Sequence, residues 1–272
     1  MFTKEINKLK KDGYLILKNI ISKKECRDYI SILESIYSKY KLRYAKNEKK
    51  LHKLNDQKQE KIIYNLHNKN FKFLKLINKN PVYKIVEKYL NLGSYNKKEV
   101  INLRQYTGRS PIPGKGDQQL HIDSRIPGCS FPLMTVVTWM LDDFNLDNGS
   151  TKLIPKSHKY DSFPVNKKKY KTEKIITGTR GSVLIMDGSL WHGGSLNKSL
   201  NNRWSILATY VRHFYKPAFD FSSNIPYTIY KKLSRNQKKI FGLTSIPPKD
   251  EFTRISSISA NPFLKNKYKL PR

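Results

Sequence analysis

From about residue 98 onward, short β-rich runs alternate with clusters of glycine, proline, asparagine and aspartate. The runs are EVINLRQYT, MTVVTWMLDD, STKLIP, GSVLIMDG and RWSILATYVRHF. Helical crossover segments do not alternate with them, as they would in a parallel sheet, so neighbouring strands are expected to be antiparallel. The pattern predicts a mainly β fold with flanking helices, namely a sandwich of the jelly-roll or double-stranded β-helix (cupin-like) kind.

The beginning of the chain has a different periodicity. Residues 3–12 have apolar positions at helical spacing, and residues 14–20 (YLILKNI) predict a buried strand. Ser22 and Glu25 then form a Ser-x-x-Glu capping box, which satisfies two free amides at the start of a helix. A helix, a strand and a second helix are therefore expected in this order.

The next segment is very polar and is followed by another helix. Residues 41–79 are predicted to form a helix, a loop and a helix, and VYKIVEKYL after Pro81 predicts a further helix. The chain has no internal repeat or low-complexity linker. We therefore expect one domain over residues 1–272, made of a helical N-terminal part (1–96), a jelly-roll core (97–215) and a C-terminal extension (216–272).

The formal charge of the chain is +32. Such a charge favours anionic partners, namely nucleic acid, a membrane surface, or a phosphorylated or CoA-linked substrate. The excess is mostly lysine beside abundant asparagine and isoleucine, which share A/T-rich codons, so genome composition is an alternative explanation. The lysine-rich stretches 47–62 and 166–175 predict solvated faces, and no RNA-binding, zinc-finger or helix-turn-helix pattern lies near them. Nucleic acid is not expected as the main partner, and the oligomeric state stays open.

The sequence also bears on the compartment. It contains no run of 18 or more apolar residues, and the first residues lack an apolar stretch followed by a small-residue cleavage site. Cys26 and Cys129 are the two cysteines and lie far apart in the chain, which favours free thiols in a reducing compartment over a disulfide framework. We expect no membrane span and a cytoplasmic location.

Two of the six histidines lie where they could share a metal ion. His121 and Asp123 are two residues apart in GDQQLHIDSR, and alternate side chains of a strand share a face. His192 follows in SLWHGGS. Two imidazoles and one carboxylate on one side of an ion form the facial triad of non-haem Fe(II) oxygenases, which leaves the opposite positions open. Taken alone, the His-x-Asp pair is also typical of a surface salt bridge or a turn. His192 taken alone is also typical of a structural histidine in a loop.

A candidate cosubstrate anchor follows eleven residues after His192. Arg203 opens a β-rich run, and its planar guanidinium could bind the distal carboxylate of 2-oxoglutarate in bidentate fashion. Ser205 lies on the same face of that strand and could add a hydroxyl donor. Thr138 and Trp139 face opposite sides of another run, so at most one of them lines the pocket, and packing is the expected role of Trp139.

With these motifs, the chain resembles the phytanoyl-CoA dioxygenase family of Fe(II)- and 2-oxoglutarate-dependent oxygenases. Four segments carry the likeness in the family's order, namely KKDGYLILKNIISKKECRDYI, GDQQLHIDS, LDDFNLDNGSTKLIPKSH and WHGGSLNKSLNNR. The similarity extends over about residues 8 to 245. It implies His121, Asp123 and His192 as the metal ligands and Arg203 as the anchor of 2-oxoglutarate.

Two further positions are interpreted through this resemblance. Gln118 matches a glutamine that also hydrogen-bonds the cosubstrate in some members. Lys156 stands where the family usually has glycine, which affects the geometry of the following turn but no ligand. His158, in the same Pro-x-Ser-His turn, is expected to be a structural hydrogen-bonding residue.

The resemblance implies Fe(II), 2-oxoglutarate as cosubstrate and O2, which together hydroxylate an unactivated C–H bond of a small organic substrate and release succinate and CO2. A basic rim would suit an anionic substrate, with contacts expected in 41–79, 124–132 and 159–176. Two alternatives stay open. One is a basic, nucleic-acid-associated protein on the same scaffold. The other is a non-oxidative metal-dependent enzyme, such as an isomerase or epimerase, on a related β-barrel.

Overall fold

The computed structural model describes residues 2–46, 58–95 and 99–244. Its strands are β1 (Tyr14–Leu17), β2 (Glu60–Tyr64), β3 (Ile101–Pro111), β4 (Met134–Met140), β5 (Thr151–Leu153), β6 (Lys174–Ile175), β7 (Val183–Asp187), β8 (His192–Gly194) and β9 (Ser205–Arg212). Its α-helices are α1 (Thr3–Asp12), α2 (Lys23–Lys46), α3 (Leu74–Ile77), α4 (Val82–Leu90), α5 (Phe221–Asn224), α6 (Tyr227–Tyr230) and α7 (Arg235–Ile240).

The strands form two sheets of unequal size. The larger sheet has the order β1-β7-β4-β9-β3-β2, and the smaller has the order β6-β5-β8. All of these strand pairs are antiparallel. The five β-rich runs of the sequence correspond to β3, β4, β5, β7 and β9. The prediction of a mainly β, antiparallel fold of the jelly-roll type with flanking helices is confirmed.

The two faces of the larger sheet bury different side chains. Along β9, Ile206 and Ala208 join the apolar core beneath the helices, whereas Ser205, Leu207 and Thr209 face a cavity on the opposite side. This division follows from the two-residue repeat of a strand. The cavity therefore lies on the face of the sheet that the helices leave uncovered.

Helices from both ends of the chain cover the apolar face. Leu33 of α2, Val86 of α4 and Ile240 of α7 are fully buried in one cluster with Trp139 of β4. Burying an aliphatic or aromatic side chain of this size contributes roughly 1.5–3 kcal/mol. This cluster makes the sheet a rigid support for the residues on its other face. The packing role predicted for Trp139 is confirmed.

The N-terminal elements agree with the sequence prediction in all but one segment. The helices α1 and α4 occupy the predicted positions, and the capping box is present, with Ser22 N donating to Glu25 Oε2 at 2.8 Å and Glu25 N to Ser22 Oγ at 3.1 Å. The prediction of helix, loop and helix over 41–79 is wrong where β2 lies, because this edge strand pairs with β3. Ile62 and Ile63 are both buried, and such a short run between lysine-rich flanks shows no clear period.

The last described elements pack beside β3. Ser234 and Gln237 cap α7 reciprocally, and Asn102 of β3 donates from Nδ2 to the carbonyl of Lys239 at 3.0 Å. Of the predicted extension over 216–272, residues 245–272 lie outside the described ranges. No helix within those ranges is both long enough and apolar enough to cross a lipid bilayer.

Candidate active site

A cavity of about 600 Å³ opens between the uncovered face of the larger sheet and the strand β8. The strands β3, β4, β7 and β9 form its floor, and the segment around 117–123 and β8 form its rim. The volume lies within the range typical of small-molecule sites. The cavity is lined by Gln59, Glu60, Arg104, Gln105, Arg109, Asp117, Gln118, Gln119, His121, Asp123, Val136, Thr138, Gly149, Thr151, Met186, His192, Gly193, Gly194, Arg203, Ser205, Leu207 and Thr209.

The structure brings His121, Asp123 and His192 together at the rim. The Nε2 atom of His121 lies 3.7 Å from one carboxylate oxygen of Asp123, and Nε2 of His192 lies 3.7 Å from the other. The three ligand atoms all lie within 4.8 Å of one another, and within the described ranges no other such group of histidine, cysteine or acidic residues occurs.

Short local contacts fix both imidazoles. Nδ1 of His121 lies 2.9 Å from the carbonyl oxygen of Gln119, and Nδ1 of His192 lies 2.8 Å from that of Leu190. Because a carbonyl can only accept, each Nδ1 carries a proton, and Nε2 is the ring nitrogen that faces Asp123 and is left to bind a metal ion. This is the arrangement in which histidine binds a metal ion.

Burial differs among the three side chains. The side chain of His192 is 9% exposed, whereas those of His121 and Asp123 are 43% and 35% exposed towards the cavity. Burial lowers the pKa of His192, and the neighbouring His121 lowers it further. Both effects outweigh the opposing influence of Asp123 and favour the neutral imidazole of His192, which is the form that binds a metal ion.

The segment that carries His121 and Asp123 is less regular than the sequence predicted. It forms no continuous strand, and His121 instead makes an isolated antiparallel bridge with His192. Glycine and proline on both sides, in GKGDQQ and RIPGCSFP, interrupt further pairing. The expected convergence of His121 and Asp123 on one point is nevertheless observed.

Arg203 lies in the cavity wall and is held by main-chain oxygen atoms. Its Nε donates to the carbonyl of Asn148 at 3.3 Å, Nη2 to that of Gly149 at 2.7 Å, and Nη1 to Ser205 Oγ at 3.2 Å. These contacts use three of the five guanidinium hydrogens and leave one on each terminal nitrogen. Burial lowers the pKa of Arg203 to about 10, so the side chain is a cation at neutral pH.

Gly149 allows the turn that presents this carbonyl to pack against Pro111. A Cβ atom at this position would lie 2.5 Å from the side chain of Pro111, and the residue has a φ of +72°, which glycine adopts without strain. The Asn-Gly turn that the sequence places after β4 therefore presents its carbonyl groups to Arg203. The ring of Phe144 also lies 4.1 Å from the guanidinium carbon, which orients the group further.

The two remaining predicted site residues line the cavity. The Ser205 hydroxyl accepts from Arg203 and donates to the carbonyl of Arg109 at 3.3 Å, so its contacts orient Arg203. Gln118 accepts from Gly194 N at 3.0 Å through Oε1 and donates from Nε2 to Glu60 at 3.1 Å. One amide hydrogen of Gln118 remains for a ligand.

Several cavity residues were not predicted from the sequence. Glu60 comes from the unrecognised strand β2 and forms an ion pair with Arg109 at 3.2 Å. Arg104, Gln105 and Arg109 come from β3, which was recognised as a strand but not as a cavity wall. Two arginines within one β-rich run, in INLRQYTGR, were the signal that could have indicated this role, because arginine is rarely buried without a partner.

The segments expected to contact substrate contribute little to the cavity wall. From 41–79 it includes Gln59 and Glu60, and from 124–132 and 159–176 it includes no residue. The lysine-rich stretch 166–175 is mostly exposed, as predicted, and reaches the rim through the main chain of Lys167, which donates to Gln119 Oε1 at 3.0 Å. Residues 47–57 of the other basic stretch lie outside the described ranges.

His158 lies outside the cavity wall. Its Nε2 is 3.2 Å from the carbonyl oxygen of Lys10, which matches the structural hydrogen-bonding role expected of it. Lys156, where a glycine was expected, adopts a φ of +69°. A lysine in this left-handed region shows that the turn keeps the geometry that favours glycine.

A β-sandwich that holds two histidines and one carboxylate around the mouth of a polar cavity is typical of the non-haem iron oxygenases. The chain belongs to the phytanoyl-CoA dioxygenase (PhyH) family, whose sequence profile matches residues 9–205.

Several similar proteins are dioxygenases by name. Dioxygenase trt7 of Aspergillus terreus is 27% identical over 146 residues, which are 50% of this chain and 49% of the relative. Multifunctional dioxygenase prhA of Penicillium brasilianum is 27% identical over 152 residues, 49% of each chain. This chain thus spans about half the length of the curated relatives it matches.

A solved structure shares the fold. HygX from Streptomyces hygroscopicus, with nickel, 2-oxoglutarate and hygromycin B bound, superposes with a TM-score of 0.60 at 14% identity. The match covers 79% of this chain and 89% of HygX. HygX has also been solved with iron bound, with a TM-score of 0.59.

Proposed function

We propose that this protein is an Fe(II)- and 2-oxoglutarate-dependent dioxygenase that hydroxylates an unactivated C–H bond of a small organic substrate. The observation that carries the proposal is the convergence of two imidazole Nε2 atoms and one carboxylate at the mouth of a cavity that also contains Arg203. Family membership supports the same reaction class.

The donor set suits a ferrous ion. His121, Asp123 and His192 would hold it, because neutral imidazoles and one carboxylate are ligands that Fe(II) accepts. The carbonyl groups that fix both Nδ1 atoms leave the two Nε2 atoms as ligands. Iron(II) with 2-oxoglutarate and O2 supplies the oxidation of a C–H bond to an alcohol, with 2-oxoglutarate leaving as succinate and CO2.

Arg203 would bind the distal carboxylate of 2-oxoglutarate. Its two uncommitted N–H groups, one on each terminal nitrogen, match the two oxygens of a carboxylate. Ser205 supports this by accepting a hydrogen bond from Arg203. Gln118 has one amide hydrogen to offer the cosubstrate, while its other two contacts join the rim segment to β8 and β2.

Apolar side chains on the cavity floor would limit access of water. Val136, Met186 and Leu207 lie beside the polar residues of the wall. An apolar surface of this kind strengthens electrostatic contacts and protects reactive species from water. The N-terminal part and the β core would act together as one domain, because β2 carries Glu60 into the cavity of the core.

The cavity size favours a small-molecule substrate. HygX, which shares the fold, is described with hygromycin B bound, and a small molecule is the ligand class we assign to this chain. Cys26 and Cys129 are both free thiols, as expected in a reducing compartment such as the cytoplasm.

The proposal is tested by anaerobic addition of Fe(II) and 2-oxoglutarate to the purified protein. We expect a weak visible charge-transfer band, which His192→Ala removes and His213→Ala, at an exposed position, keeps. Admission of O2 with a panel of small molecules should then release succinate.

Two results would reject the proposal. Salt-sensitive binding to DNA or RNA without a band would favour the nucleic-acid alternative. Turnover that needs the metal ion but not 2-oxoglutarate would favour an isomerase or epimerase.

A further inference from the structure

An irregularity in β3 places an arginine on the cavity side of the sheet. Ile101, Leu103 and Tyr106 belong to the apolar core on the helix side, so the core-facing positions jump by three residues after Leu103. The pairing with β9 slips by one residue between Leu103 and Gln105. Arg104 and Gln105, although consecutive, therefore both line the cavity. A β-bulge re-aims side chains in this way, and bulges are frequent beside active sites.

The surroundings of Arg104 leave its charge available. Its Nε is buried and has no hydrogen-bond partner among the described residues. No carboxylate of the described ranges forms an ion pair with it, and its guanidinium carbon lies 5.9 Å from the ring of Tyr215. A buried guanidinium nitrogen without a partner is energetically costly unless a ligand satisfies it.

Other charged side chains of the cavity wall are already in ion pairs. Arg109 is paired with Glu60 at 3.2 Å, and Asp117 with Lys152 at 2.6 Å. Under the proposed function, the charges of Fe(II), Asp123, Arg203 and the 2-oxoglutarate dianion cancel. The positive charge of Arg104 would then be left for the substrate.

Arg104 also lies apart from the cosubstrate anchor. Arg109 is opposite Ser205 in the pairing of β3 with β9, whereas Gln105, the neighbour of Arg104, is opposite Thr209. Four residues along a strand correspond to roughly 13 Å. Tyr215, which packs near Arg104, donates to the carbonyl of Ser124 beside the rim. Arg104 thus belongs to the end of the cavity away from Ser205.

We propose that Arg104 binds an oxyanion group of the primary substrate, a carboxylate or a phosphate, and so selects for anionic substrates. This inference rests on the proposed function for the reaction itself. Charge-assisted hydrogen bonds from the guanidinium of Arg104 would fix one end of the substrate. A C–H bond elsewhere in the molecule would then face the metal site.

The test uses the protein loaded with Zn(II), which is diamagnetic and redox-inactive, and with 2-oxoglutarate, so that binding is measured by NMR without turnover. The Nε–H signal of Arg104 is identified in a ¹H–¹⁵N NMR spectrum as the one that Arg104→Gln removes. Inorganic phosphate and acetate are then added separately as probes. We expect the signal to shift in a saturable way with at least one of them. Calorimetry should show at least about tenfold weaker binding of that anion to Arg104→Gln.

Two variants serve as controls. Arg104→Lys keeps the charge and should retain part of the affinity, and Arg235→Gln, at an exposed position of α7, should behave like the wild type. A shift of the Arg104 signal with phosphate alone indicates a phosphorylated substrate. A shift with acetate alone indicates a substrate that carries a carboxylate. Unchanged 2-oxoglutarate affinity in Arg104→Gln separates this site from that of Arg203.

Two results would overturn the inference. In one, the Arg104 signal is unmoved by both anions while 2-oxoglutarate still binds, which leaves the proposed function intact. In the other, Arg104→Gln loses 2-oxoglutarate, which makes Arg104 a cosubstrate residue. Failure of 2-oxoglutarate to bind the wild type would instead count against the proposed function.

Discussion

The main chains of His121 and His192 pair directly with each other. Each N–H donates to the carbonyl of the other residue, at 2.9 and 3.0 Å, and the two ring centroids lie 4.6 Å apart. The separation of the two imidazoles is therefore set by backbone hydrogen bonds, which do not depend on the side chains themselves. A preformed pair of this kind lowers the cost of assembling a metal site.

The first prediction follows from this pairing. Replacing His121 by Ala removes an imidazole but leaves the backbone bridge, so the free energy of unfolding should change by no more than about 1 kcal/mol. Affinity for Fe(II), measured anaerobically by calorimetry, should fall by more than about 100-fold, since even outer partners of metal ligands contribute 10- to 100-fold. Equal Fe(II) affinity in His121→Ala and the exposed control His213→Ala would contradict the assignment.

The sequence predicted that His121, Asp123 and His192 converge, but it did not predict the whole cavity. His121 and Asp123 are local in sequence, but residue types and spacing left other roles open, and the resemblance to the phytanoyl-CoA dioxygenase family was needed to join His192 and Arg203 to them. Glu60 was missed because its strand is short and lies at the sheet edge, where only long-range pairing with β3 defines it. A five-residue run between lysines carries little periodic signal of its own.

Arg104 shows a second limit of sequence reasoning. Strict alternation along β3 puts residue 104 and residue 105 on opposite faces, yet both line the cavity. The slip in register depends on how β3 pairs with β9, and no local residue pattern specifies it. The face of the sheet on which a side chain lies could be predicted only where the strand is regular, as it is at Thr138 and Trp139.

The second prediction concerns the cosubstrate. Arg203→Lys keeps a positive charge but loses the planar fork, so binding of 2-oxoglutarate should weaken by about tenfold or more. Arg203→Gln should weaken it further, by about 100-fold. The measurement is the concentration of 2-oxoglutarate that half-saturates the anaerobic charge-transfer band. Half-saturation at the wild-type concentration in both variants would exclude Arg203 as the anchor.

The third prediction concerns the glycine that joins β8 to the rim. A Cβ at Gly194 would lie 2.7 Å from the carbonyl oxygen of Gly116, a backbone atom that cannot rotate away. Gly194→Ala should therefore lower the free energy of unfolding by about 1–3 kcal/mol, as measured in urea. It should also weaken 2-oxoglutarate binding, because Gln118 exchanges two hydrogen bonds with Gly194, both of 3.0 Å. Wild-type values for both quantities would show that the rim can shift freely.

The last prediction concerns acid stability and a histidine remote from the site. His67 is fully buried between Phe221 and Phe241, with ring centroids 5.1 and 5.0 Å away, and burial lowers its pKa from 6.5 to about 4. Between these pH values the unfolded chain binds the extra proton and the folded chain does not, so the folded state loses stability as the pH falls from about 6.5 towards 4.

The loss attributable to this group should reach about 3 kcal/mol at the acid end of that window, since one pKa unit corresponds to about 1.36 kcal/mol. His67→Gln keeps an amide that can donate to Asn224, which now lies 3.2 Å from Nε2 of His67, but it cannot take up a proton. Urea unfolding at a series of pH values should give a flatter dependence for the variant than for the wild type. The variant should be the less stable protein at pH 7.5, where a buried aromatic contact is lost without compensation, and the gap should narrow at pH 5. Parallel curves for the two proteins would mean that His67 binds its proton equally well in the folded and unfolded chains.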